Sequence, residues 1–489
     1  MDQYGSGRFL MRQCDGLIFN LPIGTIRPMS LHVVNPYNQT IVCTLQYDRG
    51  AMLERKIANA EKAYQKWRLV PIAQRIKQVK KGLAYFRTHA QEIAREITLQ
   101  MGKPIREARR EVATFFERAE YMLSISKETL TPDLLPKKAG FHRRIEHVPL
   151  GPIYNIAAWN YPLLIPVNII VPALLSGNTV LLKHSPRTPL CGQRFEEAFG
   201  KGTPYPLVQN LILTNTQASH LIADPRIQYV AFTGSVATGR HVYQQAAKRL
   251  MDVGLELGGK DAAYVAEDAD IEFAVENLID GACYNAGQSC CAVERVYVHK
   301  KHYAQFLKLA KPILARYKLG DPMLDETTMG PLVGQSDLVR LEKHVADAIA
   351  RGARLQCGGE RLKGTGNFFL PTLLSDVPND AMIMQEESFG PVVPVKMVRD
   401  DAEALADMAD SRYGLTASIF TKSKARAERF AQGLSVGTVY QNRCDYLDPA
   451  LPWTGVKESG LGSTLSRYGF HALTRRKSIH FRNSGNTPY

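Results

Sequence analysis

The 489-residue chain contains no run of about 18 apolar residues, the minimum for a membrane span. Its longest apolar region, Leu163 to Leu175, is interrupted by Pro166, Asn168 and Pro172. Asp2, Arg8, Arg12 and Asp15 break any apolar run at the N-terminus, which argues against a secretory signal and makes the cytoplasm the expected compartment. A Cys-x-x-Cys pair is also missing. The eight cysteines stand at 14, 43, 191, 283, 290, 291, 357 and 444, a scatter that excludes zinc ribbons and dithiol redox motifs and fits reduced thiols. No metal site is expected. No Gly-x-Gly-x-x-Gly follows a predicted strand, so the ordinary dinucleotide fingerprint is absent, as are internal repeats and low-complexity segments. The net charge of +14 is spread through short clusters such as Arg109-Arg110, Arg143-Arg144 and Arg475-Arg476-Lys477, without aromatic-basic alternation. That pattern excludes a base-stacking nucleic-acid platform and leaves a solvated basic surface favourable to an anionic cofactor.

With 45% apolar and 22% charged residues, the chain has the composition of a soluble globular protein long enough for two or three domains. Residues 1–28 read as irregular, with Gly5, Gly7, Pro22, Gly24 and Pro28 as breakers. Ile72, Ile76, Val79, Leu83 and Phe86 mark one face of a helix, and a second helix is predicted over about 89–121. From about 150 the pattern alternates. Strands are predicted at Gly151–Ile156, Thr179–Lys183, Leu207–Leu213, Gln228–Phe232 and Met251–Glu256, with helices at 162–176 and about 236–250. Apolar strands alternating with helices imply a parallel sheet covered on both faces, which binds ligands at the carboxyl ends of its strands. A second sheet is expected around Arg295–His299 and Pro391–Met397, with helices near 302–316, 335–351 and 401–410 and Gly-rich turns at 352–366. Phe141–Val148 and Ser478–Asn483 alternate with period two and read as edge or arm strands that pair with another subunit.

Two segments carry chemistry. Cys290 ends Asn285-Ala286-Gly287-Gln288-Ser289-Cys290, where small neighbours let a tight loop present a thiol, and Glu256 opens Glu256-Leu257-Gly258-Gly259-Lys260. A nucleophile with a base is the minimum for covalent catalysis with a hydrolytic second step. Each residue alone also fits a packed cysteine and a solvated carboxylate. In Phe232-Thr233-Gly234-Ser235-Val236-Ala237-Thr238-Gly239, between a strand and a helix, backbone amides can approach a diphosphate, and Ser235 either donates to a phosphate or caps the helix. Lys183 closes a strand as a ribose donor or a surface charge. Glu387 and Phe389 lie in a turn that either receives ribose hydroxyls or is simply capped.

Taken together, these segments resemble the aldehyde dehydrogenase superfamily from Asn35-Pro36 to Lys477. The matching motifs are Ala158-Trp159-Asn160-Tyr161-Pro162, Leu182-Lys183, FTGS at 232–235, ELGGK at 256–260, GQSC at 287–290 and ESFGP at 387–391. Further matches are Tyr413-Gly414-Leu415-Thr416 and Gly455-Val456-Lys457-Glu458-Ser459-Gly460. The resemblance implies an α/β fold with a Rossmann-like cofactor domain (1–125, 148–257 and 457–472), an α/β catalytic domain (258–456) and a small β oligomerisation arm (126–147 and 473–489). It implies a homodimer or homotetramer, and NAD or NADP as cofactor. In its terms Cys290 attacks a small-molecule aldehyde, the Asn160 side chain and the Cys290 N–H hold the oxyanion, and Glu256 activates the water that releases an acid. Lys183 and Glu387 hold the two riboses, Gly234 and Ser235 the diphosphate, and Trp159 and Phe389 position the cofactor. Cys291 and Cys283 are read as packing.

The chain departs from that pattern at three places. Pro186 stands where many relatives carry a ribose-gripping Glu, so a 2′-phosphate meets no repulsion and Ser185 or Arg187 can receive it; NADP acceptance is expected. Thr464 stands where relatives often have Glu, so water must escort the proton from Glu256. Ala158 replaces a frequent Pro. The Lys183-His184 strand end resembles bacterial succinate-semialdehyde dehydrogenases. Arg443 is placed to meet a substrate carboxylate or, more simply, to face solvent. A CoA-acylating semialdehyde dehydrogenase, disfavoured by Glu256, and a catalytically silent binding relative, disfavoured by intact Cys290, Glu256 and Asn160, are the alternatives.

Overall fold

The computed structural model describes residues 30–201 and 203–483. The expected irregular opening over 1–28 and the end of the expected arm lie outside these residues. Two sheets, each parallel except for one antiparallel edge strand, organise the chain. The first has six strands in the order Gly460–Leu461, Val253–Glu256, Tyr229–Thr233, Pro152–Ile156, Thr179–Lys183 and Val208–Asn210. All its neighbours run parallel except Gly460–Leu461, which pairs antiparallel with Val253–Glu256 at the edge. Pro152–Ile156 and Thr179–Lys183 are buried at every position, as strands covered by helices on both faces must be. The second sheet has seven strands in the order Arg354–Cys357, Thr372–Ser375, Val392–Val398, Val293–His299, Asp261–Val265, Thr416–Phe420 and Thr438–Gln441. The fold is thus α/β with Rossmann-like sheets.

Phe141–Pro149 pairs along its whole length with Thr474–Arg482, and Asp133–Leu134 adds a short third strand. Both expected arm segments are therefore strands, and they pair with each other. Among the described residues, no helix is long and apolar enough to cross a membrane.

Three expectations need correction. The helix predicted over 89–121 is two helices, Ala90–Met101 and Ile105–Thr129. Gly102, at φ +81°, ends the first in the left-handed conformation, and Pro104 precludes helical geometry in the residue before it. The strand predicted over Leu207–Leu213 pairs only at Val208–Asn210, and the turns at 352–366 include the edge strand Arg354–Cys357. The break at 102–104 has a functional consequence. It buries Lys103 beside the next helix, whose inward stripe carries Glu111 and Arg118 among Ala108, Val112, Phe115, Ala119 and Met122.

Candidate active site

Cys290 follows the helix Ile271–Cys283 and a turn in which Asn285, Ala286 and Gly287 take φ values of 53°, 55° and 71°. Three successive left-handed residues, two of them not glycine, form a strained bend of the kind that persists only where its surroundings fix it. The surroundings are explicit. Asn285 N–H donates to Glu107 (3.1 Å), and Asn285 Nδ2 donates to the carbonyls of Gln288 and Asn160 (3.1 and 3.2 Å). The Gln288 side chain accepts from Val333 N–H at 2.9 Å. Gly287 is obligatory at this bend, because a Cβ there would stand 2.3 Å from the Gly390 carbonyl. The bend leaves Cys290 partly exposed, with Ser289 and Cys291 buried on either side.

Asn160 is buried, and its Nδ2 donates to the Gln288 carbonyl at 3.2 Å. An amide nitrogen has two protons, so one donor remains for a substrate oxygen. The Asn160 carbonyl also accepts from Lys103 Nζ at 2.8 Å. Lys103 pairs with Glu111, both out of solvent, and Glu111 receives Leu163 N–H at 2.9 Å. This enclosed ion pair therefore pins Asn160 from behind.

Glu256 ends the strand Val253–Glu256, and Thr464 Oγ1 donates to its Oε1 at 3.1 Å. Its Oε2 is buried with no partner, an open acceptor on the cavity wall. Burial pushes the carboxyl up to about 8, against the lowering effect of the Thr464 bond. Thr464 thus orients the carboxyl rather than relaying its proton.

At the carboxyl end of the strand Thr179–Lys183, burial pushes the Lys183 amine down to about 8. Next to it His184 is held neutral: burial pushes it down to about 4 while its ring nitrogens engage the Pro162 carbonyl (2.9 Å) and Thr188 (3.1 Å). Ser235 caps the helix Val236–Ala247, accepting Thr238 N–H at 3.4 Å. The Gly234 N–H donates to the Glu256 carbonyl at 3.0 Å, so the open donors at this turn are the amides that follow it. Glu387 Oε1 accepts from Gly259 N–H at 3.2 Å, and burial, followed by the charge of Glu294, pushes Glu387 up to about 7. Glu294 secures this turn by receiving the N–H groups of Ser388 and Phe389 (both 2.7 Å) and pairing with buried Lys260 at 2.6 Å. Phe389 meets Trp159 edge-on, with ring centroids 5.6 Å apart. Arg187 is turned toward the Val333 carbonyl (2.8 Å), while its N–H donates to Ser185 Oγ at 3.3 Å.

A cavity of about 240 Å³ is walled by Cys290, Glu256, Thr464, Tyr161, Arg118 and Asp445, among others. Cys291 packs in the core as expected, and it also lines this cavity, its Sγ meeting Asp445 Oδ1 at 3.0 Å, beside Ser289 Oγ at 3.1 Å. Burial pushes Asp445 up to about 6. Arg443 is exposed and stacks on Tyr446, with 3.4 Å from guanidinium to centroid. Sequence reasoning missed Lys103, Glu111, Arg118, Glu294 and Asp445. For Glu111 and Arg118 a signal was present, since both interrupt an otherwise apolar helical stripe.

Fold and cavity together define an α/β enzyme that presents a thiol and a carboxyl to a substrate between two parallel sheets. The sequence pattern of the aldehyde dehydrogenase family matches residues 26–479, and the chain belongs to that family. It is 35% identical over 447 residues to the succinate-semialdehyde dehydrogenase (NADP+) of Deinococcus radiodurans, covering 91% of this chain and 94% of that protein. It is 34% identical over 462 residues to the succinate semialdehyde dehydrogenase (NAD(P)+) of Escherichia coli strain K12, covering 93% and 99%. The solved structure of Escherichia coli lactaldehyde dehydrogenase superposes with a TM-score of 0.89 at 32% identity, covering 93% of this chain and 96% of that one. The chain is an enzyme that oxidises aldehydes to acids with NAD or NADP.

Proposed function

We propose that Cys290, Glu256 and Asn160 carry this oxidation, and that the substrate is an aldehyde of the semialdehyde class. The observation that supports the roles is the arrangement around one cavity: a partly exposed thiol, a locked amide donor and a carboxyl with one vacant oxygen. As thiolate, Cys290 Sγ bonds to the carbonyl carbon, and the oxygen takes up the electron pair between Asn160 Nδ2 and the Cys290 N–H. Removing one such donor raises the barrier by about 3–4 kcal/mol. When bound, the nicotinamide supplies the two-electron oxidation that converts this adduct to a thioester. Glu256 then takes a proton from water, the water oxygen bonds to the acyl carbon, and the C–S bond breaks to return the thiolate and release the acid.

The residues present suit a dinucleotide. Lys183 is an enclosed amine and Glu387 an enclosed carboxyl, and phosphates and hydroxyls satisfy both. Ser235 and the helix start behind it receive the diphosphate, and Trp159 and Phe389 brace the ring. NADP is accepted alongside NAD, because Pro186 supplies no carboxylate to repel a 2′-phosphate; Ser185 is the donor we favour, since Arg187 is engaged with Val333. The organisation we propose is a cofactor-binding part (1–125, 148–257 and 457–472), a catalytic part (258–456) and an arm (126–147 and 473–489) that joins copies into a dimer or tetramer, working in the cytoplasm.

The test is an NADH or NADPH absorbance assay over an aldehyde panel, with and without CoA. Acid formation without CoA, abolished in Cys290→Ser, is expected. A CoA thioester as product, or unchanged turnover in Cys290→Ser, overturns the assignment. Discrimination for NAD beyond about a hundredfold in kcat/KM overturns the cofactor reading.

A further inference from the structure

Arg118 lies on the wall of the catalytic cavity and is only 6% exposed. Its Nη1 donates to Asn168 Oδ1 at 3.4 Å, a long bond, and its Nε is buried with no partner. Among the described residues, no carboxylate lies within ion-pair distance of it. A guanidinium has five N–H donors and does not give up its charge, so leaving it enclosed and uncompensated opposes folding. The nearby acids are committed elsewhere. Glu111 holds Lys103 and Leu163 N–H, Asp445 receives Ser289 and Cys291, and Asp280 sits beside Arg110. The wall of the same cavity also includes Leu164, Ile165 and Ile169, apolar side chains that suit a short run of methylenes.

We infer that Arg118 is the recognition group for a carboxylate at the end of the substrate remote from the aldehyde, held by the guanidinium fork while Cys290 attacks the other end. This assignment rests on the aldehyde oxidation proposed above, and it names the residue that selects the substrate class. A planar guanidinium matches a carboxylate in two parallel hydrogen bonds, which an ammonium cannot reproduce. Arg118 also lies within electrostatic reach of Cys290 and Cys291, so it can instead act on the thiol, and the experiment separates the two roles.

The experiment measures kcat/KM for 4-oxobutanoate and for butanal in the wild type, Arg118→Met and Arg118→Lys. The expected result is a drop of about a hundredfold or more for 4-oxobutanoate in Arg118→Met, partial recovery in Arg118→Lys, and butanal within about threefold throughout. Equal losses on both aldehydes, or an unchanged ratio, overturn the assignment. A second measurement needs no turnover: succinate is expected to raise the melting temperature of the wild type and of Cys290→Ser but not of Arg118→Met. If the wild type oxidises neither aldehyde yet binds succinate through Arg118, the aldehyde reading fails and the carboxylate site stands. If it oxidises 4-oxobutanoate while succinate has the same effect on all variants, the carboxylate site fails. Arg118→Met replaces an unpaired buried charge with an apolar group and is expected to fold at least as well as the wild type.

Discussion

Glu256 is the residue whose environment gives the sharpest test. Its carboxyl is raised from 4.5 to about 8 by burial, and the hydrogen bond from Thr464 pulls in the opposite direction. The sign follows directly: a raised carboxyl is protonated at neutral pH and becomes a base only as the pH climbs through its own value. A group near 8 is about one-tenth ionised at pH 7 and about nine-tenths ionised at pH 9, so a rate limited by thioester hydrolysis should rise close to tenfold over that interval. Thr464→Val removes the bond to Oε1. A lost hydrogen bond to a charged acceptor in this range moves the carboxyl up by about one further unit. The variant should therefore lose most of its activity at neutral pH and regain it about one unit higher on the alkaline side. Hydrolysis of an activated phenyl ester follows the same acylation and deacylation without cofactor, with an initial burst reporting Cys290 and the later steady rate reporting Glu256. A steady rate that is flat between about pH 6.5 and 9.5, or a midpoint that Thr464→Val leaves in place, would refute the reasoning.

Asn160→Ala should lower kcat by about 10²–10³ with a smaller effect on KM, since the lost donor acts on the developing oxyanion; steady-state kinetics decide. Lys103→Met leaves Glu111 enclosed without its partner and should destabilise the fold by about 3–5 kcal/mol, read from a denaturant midpoint, with activity falling as the Asn160 carbonyl loses its restraint. Glu256→Gln should preserve the burst and suppress the steady phase by more than about a hundredfold; loss of the burst instead would place Glu256 in thiol activation.

The legible part of the site is the part encoded in short segments. Cys290, Glu256, Asn160, Lys183 and the turn at 232–239 each stand in a motif of a few residues, and the alternation of apolar strands with helices announced the first sheet. The second sheet was harder to read. Asp261–Val265 and Thr438–Gln441 are brief, and the glycines that precede them, Gly258-Gly259 and Gly437, mark loops as readily as strand starts. Contacts between remote segments were beyond local reading: Lys260 to Glu294, Asp445 to Ser289, and Thr464 to Glu256 across 208 positions. At Thr464 residue type told that an acid was missing, but the bond its hydroxyl makes to Glu256 was not readable from sequence. Charge on an apolar stripe was the readable sign passed over at Glu111 and Arg118, because a helix that buries charged residues does so around something.

Glu256 and Thr464 meet through the edge strand Gly460–Leu461, which pairs back onto Val253–Glu256. During synthesis Glu256 emerges from the ribosome long before the segment that clasps it. A nascent chain halted after Cys290 but before Thr464 has its thiol and its carboxyl but no restraint on the latter, so the Glu256 carboxyl gains its partner late.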